Sequence, residues 1–270
     1  MMSQNTNISI LGAGNLGIAI AEGARKAGLF QPEQIFLTRR NPARLEALRS
    51  QAFRITTDNT EAVRASKLVL LCVQPKQLGA LLQEIGGVLN EAHIVVSTIT
   101  GVSIEEITSA IANKQVAVVR AMPNTAVGIG ASMTCICSQN AKRDQLEAVT
   151  SLFESLGETL LIEERLMKAA TVLAASGIAF CMRYLRAATQ AGIQLGFDAE
   201  EAQKIAVQTA KGAALLIQKN HSHPEVEIDR VTTPEGCTIA GLNEMEHQGL
   251  SSALIKGILT SFEKINTIRK

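Results

Sequence analysis

The sequence predicts an α/β fold, with a doubly wound parallel sheet in the N-terminal part and an all-α domain after it. Three observations carry this. Up to about residue 164, short apolar runs rich in Val, Ile and Leu alternate with helical stretches. Continuous apolar strands separated by helices belong to a parallel sheet covered on both faces. The glycine pattern Gly12-Ala13-Gly14-Asn15-Leu16-Gly17 stands at the first strand–helix junction. After Arg165 the strand pattern stops, and the remainder is helical in period and dense in Ala, Leu and Ile. The domains are therefore set at 1–164 and 165–270.

Strands are expected at 8–11, 35–38, 68–73, 94–98, 116–120, 132–137 and 159–162, where β-branched and aliphatic residues cluster between turn signals. Helices are expected between them at 17–28, 43–50, 60–65, 77–88, 104–112 and 144–156. Right-handed crossovers then give the doubly wound arrangement. The second domain reads as helices at 166–196, 199–219 and 238–268. The first of these is apolar on nearly every face over 166–185, so it belongs in a large core or a subunit interface. The expectation is a domain that dimerises by interlocking helices.

Composition narrows the function classes. The chain has 270 residues, 46% hydrophobic and 19% charged, with a net charge of +1. No global basic field draws it to nucleic acid or to anionic membrane. With no Trp and one Tyr it also lacks stacking platforms for single-stranded nucleic acid. Residues 1–7 are polar, without the charged and apolar regions of a signal peptide, and no unbroken apolar run approaches a membrane span. A cytoplasmic location is expected. The five cysteines, Cys72, Cys135, Cys137, Cys181 and Cys237, are scattered and odd in number, which suits reduced thiols. Cys135 and Cys137 resemble a metal pair by spacing but lack companion ligands, so no metal site is assigned.

The glycine turn sits where a dinucleotide-binding turn must. Gly12 permits the tight turn, Gly14 lets the backbone approach a pyrophosphate, and Gly17 lets helix and strand pack closely. The helix N-terminus offers N–H groups to phosphates. The second strand ends Leu37-Thr38-Arg39-Arg40-Asn41, with no acid to hold the ribose hydroxyls of NAD. Two guanidiniums and a hydroxyl suit a 2′-phosphate instead, which favours NADPH over NADH. Three more loops leave strand C-termini: Val73-Gln74-Pro75, Thr98-Ile99-Thr100-Gly101 and Ala121-Met122-Pro123-Asn124-Thr125. Each either walls the nicotinamide or is ordinary turn chemistry. Near the far end, Thr238 follows the breakers Pro234, Glu235 and Gly236 and is read as a helix N-cap and anion site.

Taken together, Ile10 to Gly17, Val73-Gln74-Pro75, Arg120 to Thr125, Gln208 to Ala214, His223-Pro224 and Val231 to Leu242 resemble the pyrroline-5-carboxylate reductases. The match runs nearly end to end and in order. The resemblance implies NAD(P)H-dependent reduction of a cyclic imine to L-proline, the last step of proline biosynthesis. It also implies a Rossmann domain, a helical dimerisation domain, and active sites completed across a homodimer, often within a ring of dimers. Gly12, Ala13, Gly14, Asn15, Leu16, Gly17, Asn59, Val73, Gln74, Pro75, Thr98, Ile99 and Thr100 resemble its cofactor contacts, to which Thr38, Arg39 and Arg40 are added from the reading above. Met122, Pro123, Asn124, Thr233, Cys237 and Thr238 are the candidate substrate residues, with Thr238 the candidate for catalysis.

The chain departs from the family pattern at two places. Glu235-Gly236 stands where the family usually has Gly-Gly. Leu173-Ala174-Ala175-Ser176-Gly177-Ile178-Ala179-Phe180 stands where it usually has Leu-Ser-Gly-Ser-Gly-Pro-Ala-Tyr. The second change predicts a more regular, more apolar helix. Glu235 sets a negative charge near an anion site unless it points away or pairs with Arg230. His221 and Arg230 fall in that region too, either to attract the substrate carboxylate or as solvent-exposed loop residues. The expected chemistry is hydride transfer to a protonated cyclic imine, resting on alignment rather than on a protein acid. A β-hydroxyacid dehydrogenase is disfavoured, because Lys168 is followed by Val172 where those enzymes carry Asn. A reductase of another cyclic imino acid, and a non-catalytic NADPH-binding sensor, are the alternatives.

Overall fold

The computed structural model describes residues 6–265 and 267. Strands β1 Ile8–Leu11, β2 Ile35–Thr38, β3 Arg54–Thr56, β4 Leu68–Leu71, β5 Ile94–Ser97, β6 Ala117–Met122, β7 Ser132–Ser138 and β8 Gly157–Leu161 form one sheet. Its order is β3-β2-β1-β4-β5-β6-β7-β8. The intervening helices are α1 Asn15–Lys26, α2 Glu46–Arg49, α3 Asn59–Arg64, α4 Leu78–Ile85, α5 Ile104–Ala110 and α6 Arg143–Glu154.

The strands alternate their side chains between two cores, one on each face. Ile8 and Ile10 of β1 pack with Ile20 of α1, Leu48 of α2 and Phe153 of α6. Leu11 packs on the other face with Val63 of α3, Leu82 of α4 and Ile107 of α5. Each fully buried aliphatic side chain of this kind contributes roughly 1.5–3 kcal/mol. The doubly wound sheet is what these two apolar faces require.

Two features differ from the sequence expectation. The edge strand β3 was not expected, because Arg54-Ile55-Thr56 is three residues long, with Arg54 exposed and Ile55 alone packed against the core, and carries little of the apolar signal that marks inner strands. Strand β7 runs antiparallel to β6, with Val119 opposite Ser138 and Met122 opposite Cys135. The link between them is only residues 123–131, held by a short 3₁₀ turn and by Gly130 at φ +70. A parallel partner needs a crossover of about a dozen residues or more. Helix α6 supplies one between β7 and β8, which are parallel.

By compactness the described residues divide into one unit that runs to Ser176 and takes in the chain from Ser261, and a second of 177–260. The sequence boundary at 164/165 falls earlier, because helix α7 Met167–Ala170 still belongs to the sheet's core through fully buried Met167. Its entry is fixed by Glu164, which accepts from Arg120 Nη1 at 3.1 Å and from the Ile104 N–H at 2.6 Å. The expected helix at 166–196 is three pieces: α7, a π-helical segment Thr171–Ser176, and α8 Gly177–Gln194. The more regular helix expected from Ala174 and Ala175 is therefore not found.

The second unit holds α8, α9 Ala199–Asn220, α10 Pro224–Val231, α11 Cys237–His247 and most of α12 Leu250–Ile265. Helix α10 was not expected; Pro224 opens it, and the His223 ring accepts from the Glu225 N–H at 3.3 Å. The helix expected at 238–268 is broken at Gly249, φ +80, and its positions 266 and 268 lie outside the described residues. Helices α8 and α9 approach closely, since a Cβ on Gly192 would lie 2.8 Å from Ala202 Cβ. No residue of α8 is buried within the chain. On length and composition the stretch Glu164–Gln194 is apolar enough to cross a membrane, although no unbroken apolar run within it is that long. Mean hydropathy tolerates the charges of Arg183 and Arg186 that interrupt such a run.

Candidate functional site

Strand β1 pairs with β2 on one side and β4 on the other, so the strand order reverses at β1/β4. Ligands of open α/β sheets bind in the crevice outside the strand C-termini at such a point. Leu11 is level with both Thr38 and Leu71, so Gly12, Arg39 and Cys72 leave the sheet at one edge. A cleft of about 420 Å³ opens there. Its walls are Gly12, Ala13 and Gly14; Thr38, Arg39, Arg40 and Asn41; Thr57 and Asn59; and Cys72, Val73, Gln74, Gln77 and Leu81.

The glycines fit their assigned roles. Gly12 has φ +92, and a Cβ on it would lie 2.6 Å from Val73 Cγ1 and 2.9 Å from the Cys72 carbonyl oxygen. A Cβ on Gly17 would lie 3.0 Å from Ile10 Cγ2, the strand side chain on which α1 rests. Around Gly14 the space is open, with Gly12 O at 4.0 Å the single near atom. Helix α1 starts there with no side-chain cap and no acid in its first turn. Uncapped N–H groups and an open approach at Gly14 are what a pyrophosphate needs, so the residues fit a dinucleotide.

The turn is laced to the end of β2. The Thr38 carbonyl accepts from Gly12 N at 3.2 Å and Ala13 N at 2.8 Å. Arg39 Nη1 donates back to the Ala13 carbonyl at 2.8 Å. The Thr38 hydroxyl donates to Asn59 Oδ1 at 2.5 Å, and Asn59 Nδ2 donates to Glu84 Oε2 at 2.9 Å. Glu84 thus fixes which way the Asn59 amide faces. Arg40 is exposed at the rim. Beneath the turn, burial pushes the Cys72 thiol up to about 11, against a smaller opposing effect of the Thr98 hydroxyl.

Of the predicted cofactor residues, Gly12, Ala13, Gly14, Thr38, Arg39, Arg40, Asn59, Val73 and Gln74 line this cleft. Asn15, Leu16 and Gly17 form the first turn of α1, and Pro75 opens a 3₁₀ turn. Thr98 and Ile99 are buried, and the Thr98 hydroxyl donates to the Leu71 carbonyl at 3.1 Å; Thr100 is partly exposed. Sequence reasoning passed over Asn41, Thr57, Cys72, Gln77 and Leu81. Thr57 follows the unexpected strand β3, and Gln77 is found only through its side chain, which accepts from the Gln74 N–H at 3.1 Å.

Among the candidate substrate residues, Met122 and Pro123 are buried at the end of β6, and Asn124 is partly exposed. Thr233, Cys237 and Thr238 belong to the second unit, where the chain turns into α11. Thr238 is not the N-cap of that helix. The cap is Gly236, held by a Gly236 N–H bond to the Thr233 carbonyl at 3.0 Å. A Cβ at 236 would run into the Thr233 hydroxyl, so the turn closes on glycine and puts Thr238 at the second helical position. The α11 N-terminus has no side-chain cap, and the Thr238 hydroxyl is not spent on one. Glu235 holds the left-handed φ of +58, which accounts for the glycine usual there. Arg230 pairs with Glu227 at 2.7 Å rather than with Glu235. His221 is the left-handed C-cap of α9, φ 50. Cys135 and Cys137 are buried in β7, and burial pushes the Cys137 thiol up to about 11.

Two family models match the chain. Residues 164–268 match pyrroline-5-carboxylate reductase dimerisation, and residues 7–101 match NADP oxidoreductase coenzyme F420-dependent. Pyrroline-5-carboxylate reductase 1 of Dictyostelium discoideum is 47% identical over 98% of the chain, which spans 50% of that longer protein. Pyrroline-5-carboxylate reductase 2 of the same organism is 44% identical over 97% of the chain and 93% of its own length. The crystal structure of Plasmodium falciparum pyrroline carboxylate reductase with NADP bound superposes with a TM-score of 0.91 at 22% identity, covering 100% of both chains. Identity of this order along nearly the whole of both sequences shows that the chain belongs to the pyrroline-5-carboxylate reductase family.

Proposed function

We propose that this chain reduces 1-pyrroline-5-carboxylate to L-proline with NADPH. The observation that carries the cofactor is the cleft at the β1/β4 switch point, with its open glycine turn and with Thr38, Arg39 and Arg40 where an acid would select NAD. The substrate rests on relatedness that runs the length of the chain, α11 included.

When bound, NADPH supplies the hydride. The carbon of the ring C=N bond accepts it, and the nitrogen, protonated beforehand, becomes the secondary amine. An iminium is electrophilic without a strong acid on the protein. The uncapped α11 N–H groups and the Thr238 hydroxyl would hold the ring carboxylate. Arg39 holds the glycine turn against β2, and Arg40 at the cleft rim would meet the 2′-phosphate. Catalysis then rests on proximity and alignment.

Homo-oligomerisation follows from the dimerisation model and from α8, which buries none of its residues in its own chain. We place α8 in a dimer interface rather than a membrane, since Arg183 and Arg186 suit a protein partner better than hydrocarbon. A ring of dimers is the assembly proposed. The odd number and scatter of the five cysteines support a reducing, cytoplasmic compartment.

The test is NADPH oxidation followed at 340 nm with purified chain and pyrroline-5-carboxylate. Turnover with formation of proline is expected. NADPH binding without turnover, or turnover only with a six-membered cyclic imine, refutes the assignment.

A further inference from the structure

Both heteroatoms of the Asn124 side chain are bonded within the chain. Its Oδ1 accepts from the Ala126 N–H at 2.9 Å, its Nδ2 donates to the Ala174 carbonyl at 3.3 Å, and its own N–H donates to the buried Ser132 hydroxyl at 3.1 Å. The residue follows β6, whose C-terminus lies beside that of β5 on the edge that carries Gly12 and Val73. Ala174 belongs to the π-helical segment Thr171–Ser176, which packs on β6 and β7. A π turn is a rare, less favourable register that concentrates at functional sites. It persists where contacts from outside the helix hold it. Here one of them comes from Asn124, and a second bond, Thr171 Oγ1 to the Met167 carbonyl at 2.8 Å, comes from within the helix.

We infer that Asn124 is a positioning residue for the reduction: its amide tethers the π turn at Ala174 and so sets where residues 174–176 stand at the substrate end of the sheet. The inference rests on the proposed function, for which the loops after β4, β5 and β6, adjacent in the sheet and leaving it at one edge, are the candidate walls of the nicotinamide. Losing one residue of register turns a helix by about 100°, so relaxation of the π turn towards α re-aims Ser176 without altering the cofactor cleft. The role is additional to the substrate contact expected of Asn124 from the sequence, since the amide keeps a second N–H and a second lone pair beyond these two bonds.

The variants are Asn124→Asp and Asn124→Ser in the full chain. Both keep an oxygen for the Ala126 N–H, so the turn after β6 stays capped. The carboxylate has no hydrogen to donate to Ala174, and the serine is too short to reach it. Both are expected to lower kcat for pyrroline-5-carboxylate roughly tenfold while KM for NADPH moves less than about twofold. Backbone amide exchange over 171–177 should accelerate in both, with the rest of the sheet unchanged. A kcat within about twofold of the parent, or a lowered kcat with unaltered exchange at 171–177, overturns the inference. A parent chain with no pyrroline-5-carboxylate turnover is a separate result and overturns the functional assignment itself.

Discussion

Removing Arg39 and Arg40 one at a time should give two different defects, although the sequence presents them as a pair. Arg40 is exposed at the cleft rim and is assigned to the 2′-phosphate. A charge-assisted hydrogen bond contributes roughly 1.5–3 kcal/mol. At an exposed site, screened by water, the low end applies. Arg40→Ala should therefore weaken NADPH about tenfold and leave NADH nearly untouched, because NADH lacks that phosphate. Arg39 is half-buried, and its Nη1 already donates to the Ala13 carbonyl at 2.8 Å. Arg39→Ala frees one side of the glycine turn, on which both cofactors place their pyrophosphate. It should weaken NADPH and NADH together, by a similar factor of about ten. The assay is fluorescence titration of each variant with each cofactor, with kcat/KM measured alongside. The Arg39→Ala ratio of the two affinities should stay near that of the parent, and the Arg40→Ala ratio should fall. If Arg39→Ala alone abolished the preference for NADPH, the bracing role drawn from the Ala13 bond would be wrong.

Thr238→Ala should raise KM and lower kcat/KM for pyrroline-5-carboxylate with NADPH affinity intact; unchanged steady-state kinetics would remove Thr238 from the site. Glu235→Gly should raise Tm by relieving a left-handed φ on a side-chain-bearing residue, worth about 1 kcal/mol less the extra entropy of an unfolded glycine. Glu235→Gln keeps that backbone, so it should lower KM for the anionic substrate without raising Tm, and a Tm rise in both variants would show that charge rather than backbone is responsible. The Ser222 hydroxyl, then Asn220 and Arg230, hold the Glu227 carboxyl below its usual range. A depressed folded pKa gives stability that is present above the unfolded value and is lost as pH falls through the folded one. The Tm difference between parent and Glu227→Gln should therefore be largest near pH 7 and shrink below about pH 4, and a difference that grew in acid would contradict the sign.

The two-face sheet was legible because burial imposes it on the residues. Ile8, Ile10 and Leu11 have to be apolar whichever core they meet, and the period of the runs gives the strand count apart from β3. Edge strands escape this logic: Arg54-Ile55-Thr56 pairs with one neighbour and sets a single apolar side chain, Ile55, against the core. Direction was harder, since nothing in the apolar run 132–137 says which way the chain passes. The length of the link from β6 does say it, and it was there to be counted. The π segment could not be read in the same way. Substituting Ala for Ser and Gly raises helix propensity, and propensity argues for α. The contact that opposes it comes from Asn124, fifty positions away in the sequence.

The site divides along the same line between what a residue type dictates and what its neighbours decide. Gly12 is legible because only a residue without Cβ takes φ +92 beneath Val73, so the requirement is written in the residue itself. Arg39 is legible as a cation but not as a brace, because its role depends on the Ala13 carbonyl lying 2.8 Å from Nη1. Asn59 is stronger still in this respect. Its value to the cleft is an amide whose oxygen faces Thr38, and that orientation is imposed by Glu84 on α4. The same logic separates Thr238 from the cap it resembles: a Thr after Gly236 reads as a cap by position, yet the turn closes one residue before the helix on the Thr233 carbonyl. The Thr238 hydroxyl is therefore not the cap of α11, and its proposed part in holding the substrate carboxylate rests on its place in the first turn.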